Sequence, residues 1–237
     1  MLQDRVNRIS RSKLPRLTLL KLQFLARLTR YEHFANGWSP RRRSLTAYQH
    51  FDQKGLVLNG QRDTHARVQS IRQIVDLSER RVLDIGCSLG GLLFNADEMA
   101  FGYGIDGSAM SVRFAREFSV ALGRQSFIAD GKFQFERIDF NSADILLRIE
   151  ALIVEQKIDL VFCLSILSWM PKFGDLIDLL GSMGIQVLVE SNNDIEWQEF
   201  LATLDSSRFN LKSNSTYELD DVTGNVGRRL HLLSPQR

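Results

Sequence analysis

The sequence has little thiol chemistry in it: two cysteines, Cys87 and Cys163, in 237 residues, each inside an apolar run. Two such thiols make neither a disulfide framework nor a cysteine metal cluster, so a reducing compartment, the cytoplasm, is the expected setting. The four histidines, His33, His50, His65 and His231, share no ligand spacing, and no metal centre is expected. No stretch approaches the ~20 uninterrupted apolar residues of a membrane span. Arginines interrupt the N-terminal segment, which leaves no charge-free core for a signal peptide. Internal repeats and low-complexity tracts are missing as well. What is present is 44% hydrophobic and 24% charged, the balance of a globular domain with a substantial core.

The net charge of +2 conceals an asymmetry. Residues 1–43 carry eleven Lys/Arg against Asp4 and Glu32, so +9, while the remainder carries 19 basic and 26 acidic residues, so −7. A basic arm on an acidic body calls for an anionic partner, or for the body itself. Residues 14–30, "LPRLTLLKLQFLARLTR", have helical periodicity. Arg16, Gln23, Arg27 and Arg30 share one narrow stripe, and leucines and Phe24 fill the rest apart from Lys21. A helix so apolar must be covered, either by the main domain or by a membrane surface, which would place the protein peripherally at the inner membrane. "NGWSPRRRS" at 36–44 then breaks the chain. The expected division is a basic helical extension over 1–59 and one domain over 60–237.

From residue 60 short apolar strands alternate with helices. Helices are expected over 61–77, 90–100, 108–122, 143–156, 172–183 and 194–206, with Ser108 as an N-cap. Strands are expected at 81–86, 102–107, 133–140, 158–165 and 185–191, and "FNLKSNS" and "GRRLHLLS" form a closing antiparallel pair. Such alternation gives an α/β domain with a parallel sheet covered on both faces. Ligands of these sheets bind at the carboxyl ends of the strands, where the strand order reverses.

The strand ends carry the chemistry. The first strand runs into Asp84, Gly86, Ser88 and Gly90, the second into Asp106, the third into Asp139 and Phe140, and the fourth into Ser165. Gly86 and Gly90 allow a tight turn and close backbone approach to a ligand. Asp106 follows Asp84 by 22 residues, a spacing that brings the second acidic tip beside the first turn, where it can accept from ribose hydroxyls. Asp139 offers an acceptor for an exocyclic amine and Phe140 an apolar face for a purine. A dinucleotide fingerprint would read G-x-G-x-x-G; here the segment reads D-I-G-C-S-L-G. A carboxylate before the turn repels a pyrophosphate and favours an ammonium or sulfonium group, so S-adenosyl-L-methionine is the expected ligand.

"VLDIGCSLGG", "GYGIDGSAM", "FERIDF" and "IDLVFCLSILSW", in that order, resemble the class I S-adenosylmethionine-dependent methyltransferases. The resemblance covers roughly residues 60–233. It implies a Rossmann-like, seven-stranded, mostly parallel sheet with an antiparallel last strand. It also implies that Asp84 and Gly86 line the methionine end, Asp106 holds the ribose, Asp139 reaches the adenine and Ser165 lies beside the methyl group. Ser88 departs from the commonest form, which has glycine there. "NGQRDTHAR", "CLSILSW" and "VLVES" bear a weaker likeness to a bacterial branch with cell-envelope and polysaccharide functions, and "DLVFCLSILSW" to the bicoid-interacting type. In such enzymes an upstream arginine often meets the methionine carboxylate, and Arg62 is the candidate.

The expected function is methyl transfer to a small-molecule or glycan-linked acceptor, through a phosphate or a hydroxyl, with no catalytic residue assigned. Tyr48, His50 and Trp169 are candidates for acceptor contact, Trp169 standing either at the mouth or in the core, and Glu190 is a further carboxylate at a sheet end. The partner of residues 1–43 would be a membrane surface, a glycan phosphate or RNA. An RNA methyltransferase using the basic arm, and a non-catalytic binding module of the same fold, remain open. "SILSW" after the fourth strand, in place of an Asn-Pro-Pro-Tyr type segment, argues against methylation of purine amines.

Overall fold

The computed structural model describes residues 47–49, 51–53, 56–58, 60–124, 129, 131–191, 193–204, 208–213 and 229–236; the expected helix at 14–30 and the basic arm lie outside them. Four short strands come first: β1 (Ala47–Gln49), β2 (Phe51–Gln53), β3 (Leu56–Leu58) and β4 (Gly60–Arg62). β1 pairs in parallel with β4, and β2 with β3 as an antiparallel ribbon beside the domain's first two helices.

The main sheet holds β5 (Arg81–Ile85), β6 (Phe101–Asp106), β7 (Phe133–Arg137), β8 (Leu160–Leu164), β9 (Gln186–Glu190), β10 (Phe209–Ser213) and β11 (Leu230–Pro235). Its order is β10-β11-β9-β8-β5-β6-β7. β9, β8, β5, β6 and β7 run in parallel, and β11 is antiparallel to both β9 and β10. This is the expected seven-stranded, mostly parallel sheet with an antiparallel last strand. The order reverses between β5 and β8, since the chain builds outward from β5 through β6 and β7, then crosses back to β8.

Helices cover both faces, which is why the central strands read as unbroken apolar runs. Alternate side chains serve alternate layers: Leu160, Phe162 and Leu164 join the core beneath α1 (Thr64–Arg72), α2 (Gly91–Asn95) and α3 (Ala109–Arg124). Val161 and Cys163 join the core beneath α4 (Ile145–Gln156), α5 (Phe173–Ser182) and α6 (Asp194–Thr203). In the same alternation Val82 and Leu188 face the first layer. Asp84 and Glu190 are each two residues further along, so they point to that layer too.

Most elements match their expected bounds to within one to three residues, and three of the differences have a clear local cause. The helix expected over 61–77 is shorter, because β4 takes residues 60–62 and Asp63 caps α1, its Oδ1 accepting from Ala66 N–H at 2.9 Å. The helix expected over 90–100 ends at Asn95, whose side-chain amide bonds back to the Gly91 carbonyl. The third strand ends at Arg137, which releases Asp139 and Phe140 into the following loop. Ser108 does cap α3, accepting from Ser111 N–H at 3.3 Å.

Candidate functional site

The carboxyl ends of β5, β6, β7 and β8 surround a cavity of about 350 Å³. Of the residues expected to bind a ligand, Asp84, Gly86, Ser88, Asp106, Asp139, Phe140 and Ser165 line it. Gly90 does not reach the lining. It has φ +79°, and a Cβ there would lie 2.7 Å from the Phe135 ring and 2.9 Å from Phe94, so its role is to let the turn settle against the core. Arg62 ends β4, and its side chain, like those of Tyr48 and His50, lies outside the described residues.

Gly86 turns the chain with φ +80°, and a Cβ there would meet Ile166 Cγ2 at 2.4 Å. Asp106 braces the turn from the neighbouring strand: Oδ2 accepts from Ser88 N–H at 2.8 Å and Oδ1 from Ser108 N–H at 2.8 Å. Burial pushes its carboxyl above the ordinary range, against those two bonds. Ser88 holds φ +50° and Ser165 φ +63°. Non-glycine residues rarely adopt this region, and such outliers gather where function holds them. The commonest glycine at the Ser88 position thus has a conformational reason.

Asp84, at the end of β5 before the turn, is buried. It is 1% exposed, and its Oδ2 has no hydrogen-bond partner among the described residues. Burial, reinforced by Asp106 and opposed by Arg67, raises its pKa to about 7. An ionised Asp84 therefore requires a cation that the protein does not fully supply.

Arg67 is the residue sequence reasoning missed. It rises from α1 onto the sheet face that carries Asp84 and Glu190, and it lines the cavity. Its Nε donates to Glu190 Oε1 at 3.1 Å and its Nη2 to Glu190 Oε2 and, at 3.3 Å, to Ser165 Oγ. Ser165 Oγ in turn donates to Glu190 Oε2. Glu190 is fully buried, so the bidentate guanidinium is its neutralising partner. The signal lay in the helix register: Arg67 shares the buried face of α1 with Thr64, Val68 and Ile71, and an arginine there demands a carboxylate. Trp169 belongs to the mouth. It sits in a 3-10 turn (Leu167–Trp169) after β8, lines the cavity and is 73% exposed. Phe140 is half-buried, packed on the second core and facing the cavity.

Solved structures share this architecture. EvdMO1 aligns over 91% of this chain and 47% of its own, with TM-score 0.56 and 13% identity. A chain from the complex between the Haloferax volcanii Trm112 methyltransferase activator and a methyltransferase aligns over 73% and 90%, with TM-score 0.52 and 14% identity. The [4+2]-cyclase SpnF aligns over 80% and 88%, with TM-score 0.53 and 13% identity. At these identities the likeness is one of fold, and the cyclase shows that the fold alone does not name the reaction. Among curated proteins none matches the chain. The sequence pattern of the methyltransferase domain family matches residues 76–203, more than half of the chain. The chain belongs to that methyltransferase family, with a Rossmann-like class I fold and S-adenosylmethionine as its methyl donor.

Proposed function

We propose that residues 60–237 transfer the methyl group of S-adenosylmethionine to a small-molecule or glycan-linked acceptor, and that residues 1–59 form a basic extension that meets an anionic partner. One observation carries the cofactor's placement: a buried carboxylate, Asp84, with an unpartnered oxygen, beside a glycine-turned cavity at the switch point of the sheet. These residues fit the group. An ammonium against Asp84 supplies the missing cation, Gly86 admits the backbone-close approach, and Asp106 on the neighbouring strand suits a ribose. Asp139 and Phe140 suit the adenine, and Ser165 the methyl end.

The bound cofactor supplies a sulfonium methyl group reactive enough to be displaced in line. The chain's own part is to orient and to exclude water. Ser88, Asp106 and Ser108 fix the turn, and the Arg67–Glu190–Ser165 network fixes the floor between α1, β8 and β9. Calorimetric titration with S-adenosylhomocysteine tests the reading. The wild type is expected to bind, and Asp106→Ala to lose most of the affinity; no wild-type binding, or undiminished binding by the variant, refutes it.

A further inference from the structure

Four non-glycine residues among the described ones hold φ in the left-handed region: Glu79 (+60°), Ser88 (+50°), Lys157 (+51°) and Ser165 (+63°). A side chain there costs free energy that glycine would not. Lys157 caps the C-terminus of α4, where this conformation is routine. Glu79 lies in an exposed turn ahead of β5. The two serines line the cavity, after β5 and β8, which are adjacent strands at the switch point. Ser165 has a use for its side chain within the protein, because its hydroxyl joins Glu190 and Arg67.

Ser88 has no such use for its own. Its N–H donates to Asp106 Oδ2 at 2.8 Å and its carbonyl accepts from the Cys87 thiol, while its hydroxyl makes no hydrogen bond among the described residues. Strain that persists where nothing in the fold uses the side chain points to a ligand. Position says which part of the ligand. Each Asp106 oxygen takes one backbone N–H, from Ser88 and from Ser108, so each keeps a lone-pair site for a ribose hydroxyl. A hydroxyl that donates to Asp106 can still accept. Ser88, whose N–H touches the same carboxylate, brings an O–H donor to that place.

We propose that the Ser88 hydroxyl donates a hydrogen bond to a ribose hydroxyl of S-adenosylmethionine, and that the left-handed backbone at residue 88 aims it there. This rests on the cofactor reading above. Asp106 then accepts a ribose proton and Ser88 supplies one, so the sugar is held both as donor and as acceptor. Glycine at 88 would relax the turn and forgo the second bond. Ser88 is thus a determinant of affinity for the ribose, and its strain persists because the bound cofactor uses the side chain.

Two substitutions separate the hydroxyl from the strain: Ser88→Ala removes the hydroxyl and keeps the Cβ, and Ser88→Gly removes both. Calorimetry on the full chain compares S-adenosylhomocysteine with its analogue lacking both ribose hydroxyls. Each variant should lose about three- to tenfold in affinity for S-adenosylhomocysteine and bind the dideoxy analogue as the wild type does. In thermal melts without ligand, Ser88→Ala should stay within about 3 °C of the wild type and Ser88→Gly should match or exceed it. Undiminished S-adenosylhomocysteine affinity in either variant overturns the proposal. So does an equal loss for the dideoxy analogue, which would put the hydroxyl against another part of the ligand. A melting temperature lowered by more than about 3 °C in either variant also overturns it, because the hydroxyl would then serve the fold. Failure of the wild type to bind S-adenosylhomocysteine would instead sink the cofactor reading itself, and this proposal with it.

Discussion

Asp84 makes the sharpest physical demand in the protein, and replacing it with asparagine isolates that demand. The unfolded chain ionises this carboxyl near 3.8, whereas the folded protein holds it neutral until about pH 7. Between those values the folded state binds the extra proton, so stability falls as pH rises through the window and levels off above 7. About three units at ~1.4 kcal/mol each amount to about 4 kcal/mol of stability lost from pH 4 to pH 8. Asparagine keeps the shape and removes the titration. Its amide adds a cost of about 1–3 kcal/mol if its new donor stays unpartnered, but that cost does not vary with pH. The measurement is urea unfolding of wild type and Asp84→Asn from pH 5 to 9, read as the difference between the two proteins, because every other group titrates in both. The expected difference slopes against the wild type by about 1.4 kcal/mol per pH unit up to 7 and is flat beyond. A difference constant across the range refutes the reasoning.

The same carboxyl makes ligand binding pH-dependent with the opposite sense. An ammonium ligand needs Asp84 ionised, so S-adenosylhomocysteine affinity should rise about tenfold per pH unit up to about 7 in the wild type and stay flat in Asp84→Asn. Calorimetry below pH 7 in buffers of different ionisation enthalpy should show about one proton released on binding; release unchanged in the variant assigns the proton elsewhere.

Three further outcomes follow from the geometry around the cavity. Arg67→Met strands fully buried Glu190 and should cost about 3–5 kcal/mol in urea unfolding, while Arg67→Met with Glu190→Leu should regain most of it; a double variant as unstable as the single one contradicts the pairing. Gly86→Ala puts a Cβ 2.4 Å from Ile166 Cγ2 at φ +80° and should lose about 2 kcal/mol together with S-adenosylhomocysteine affinity, measured by thermal melts and calorimetry. Gly104→Ala lacks the unusual φ but drives a Cβ to 2.6 Å from the Phe135 ring and 2.8 Å from Cys87 Sγ, so it should cost about 1–3 kcal/mol by overpacking alone.

What the sequence made legible, and what it hid, divides along the range of the forces involved. Strand runs such as Leu160–Leu164 announce themselves because both faces of a parallel sheet are buried, and the glycine turn announces itself because only a few residues tolerate φ near +80°. Residues that stand at strand ends therefore came together as expected: Asp84, Ser88, Asp106, Asp139 and Ser165 all line one cavity. Arg67 stayed hidden because its meaning depends on Glu190, 123 residues away, and no local pattern carries a contact of that length. Asp84 lines the cavity as expected, but its burial raises its carboxyl to about 7, which the local pattern does not show. A strand-end carboxylate reads as a charge facing its ligand, whereas enclosure by the layer beneath α1 leaves it close to neutral until a cation arrives. That shift changes how the pocket selects. Affinity for a cationic ligand is set by the ligand's ability to replace a proton on a buried oxygen, so discrimination against a diphosphate persists at pH values where the carboxyl is uncharged: the neutral acid offers an anion only one O–H donor, and Asp106, with both oxygens already committed to backbone N–H groups, offers it none.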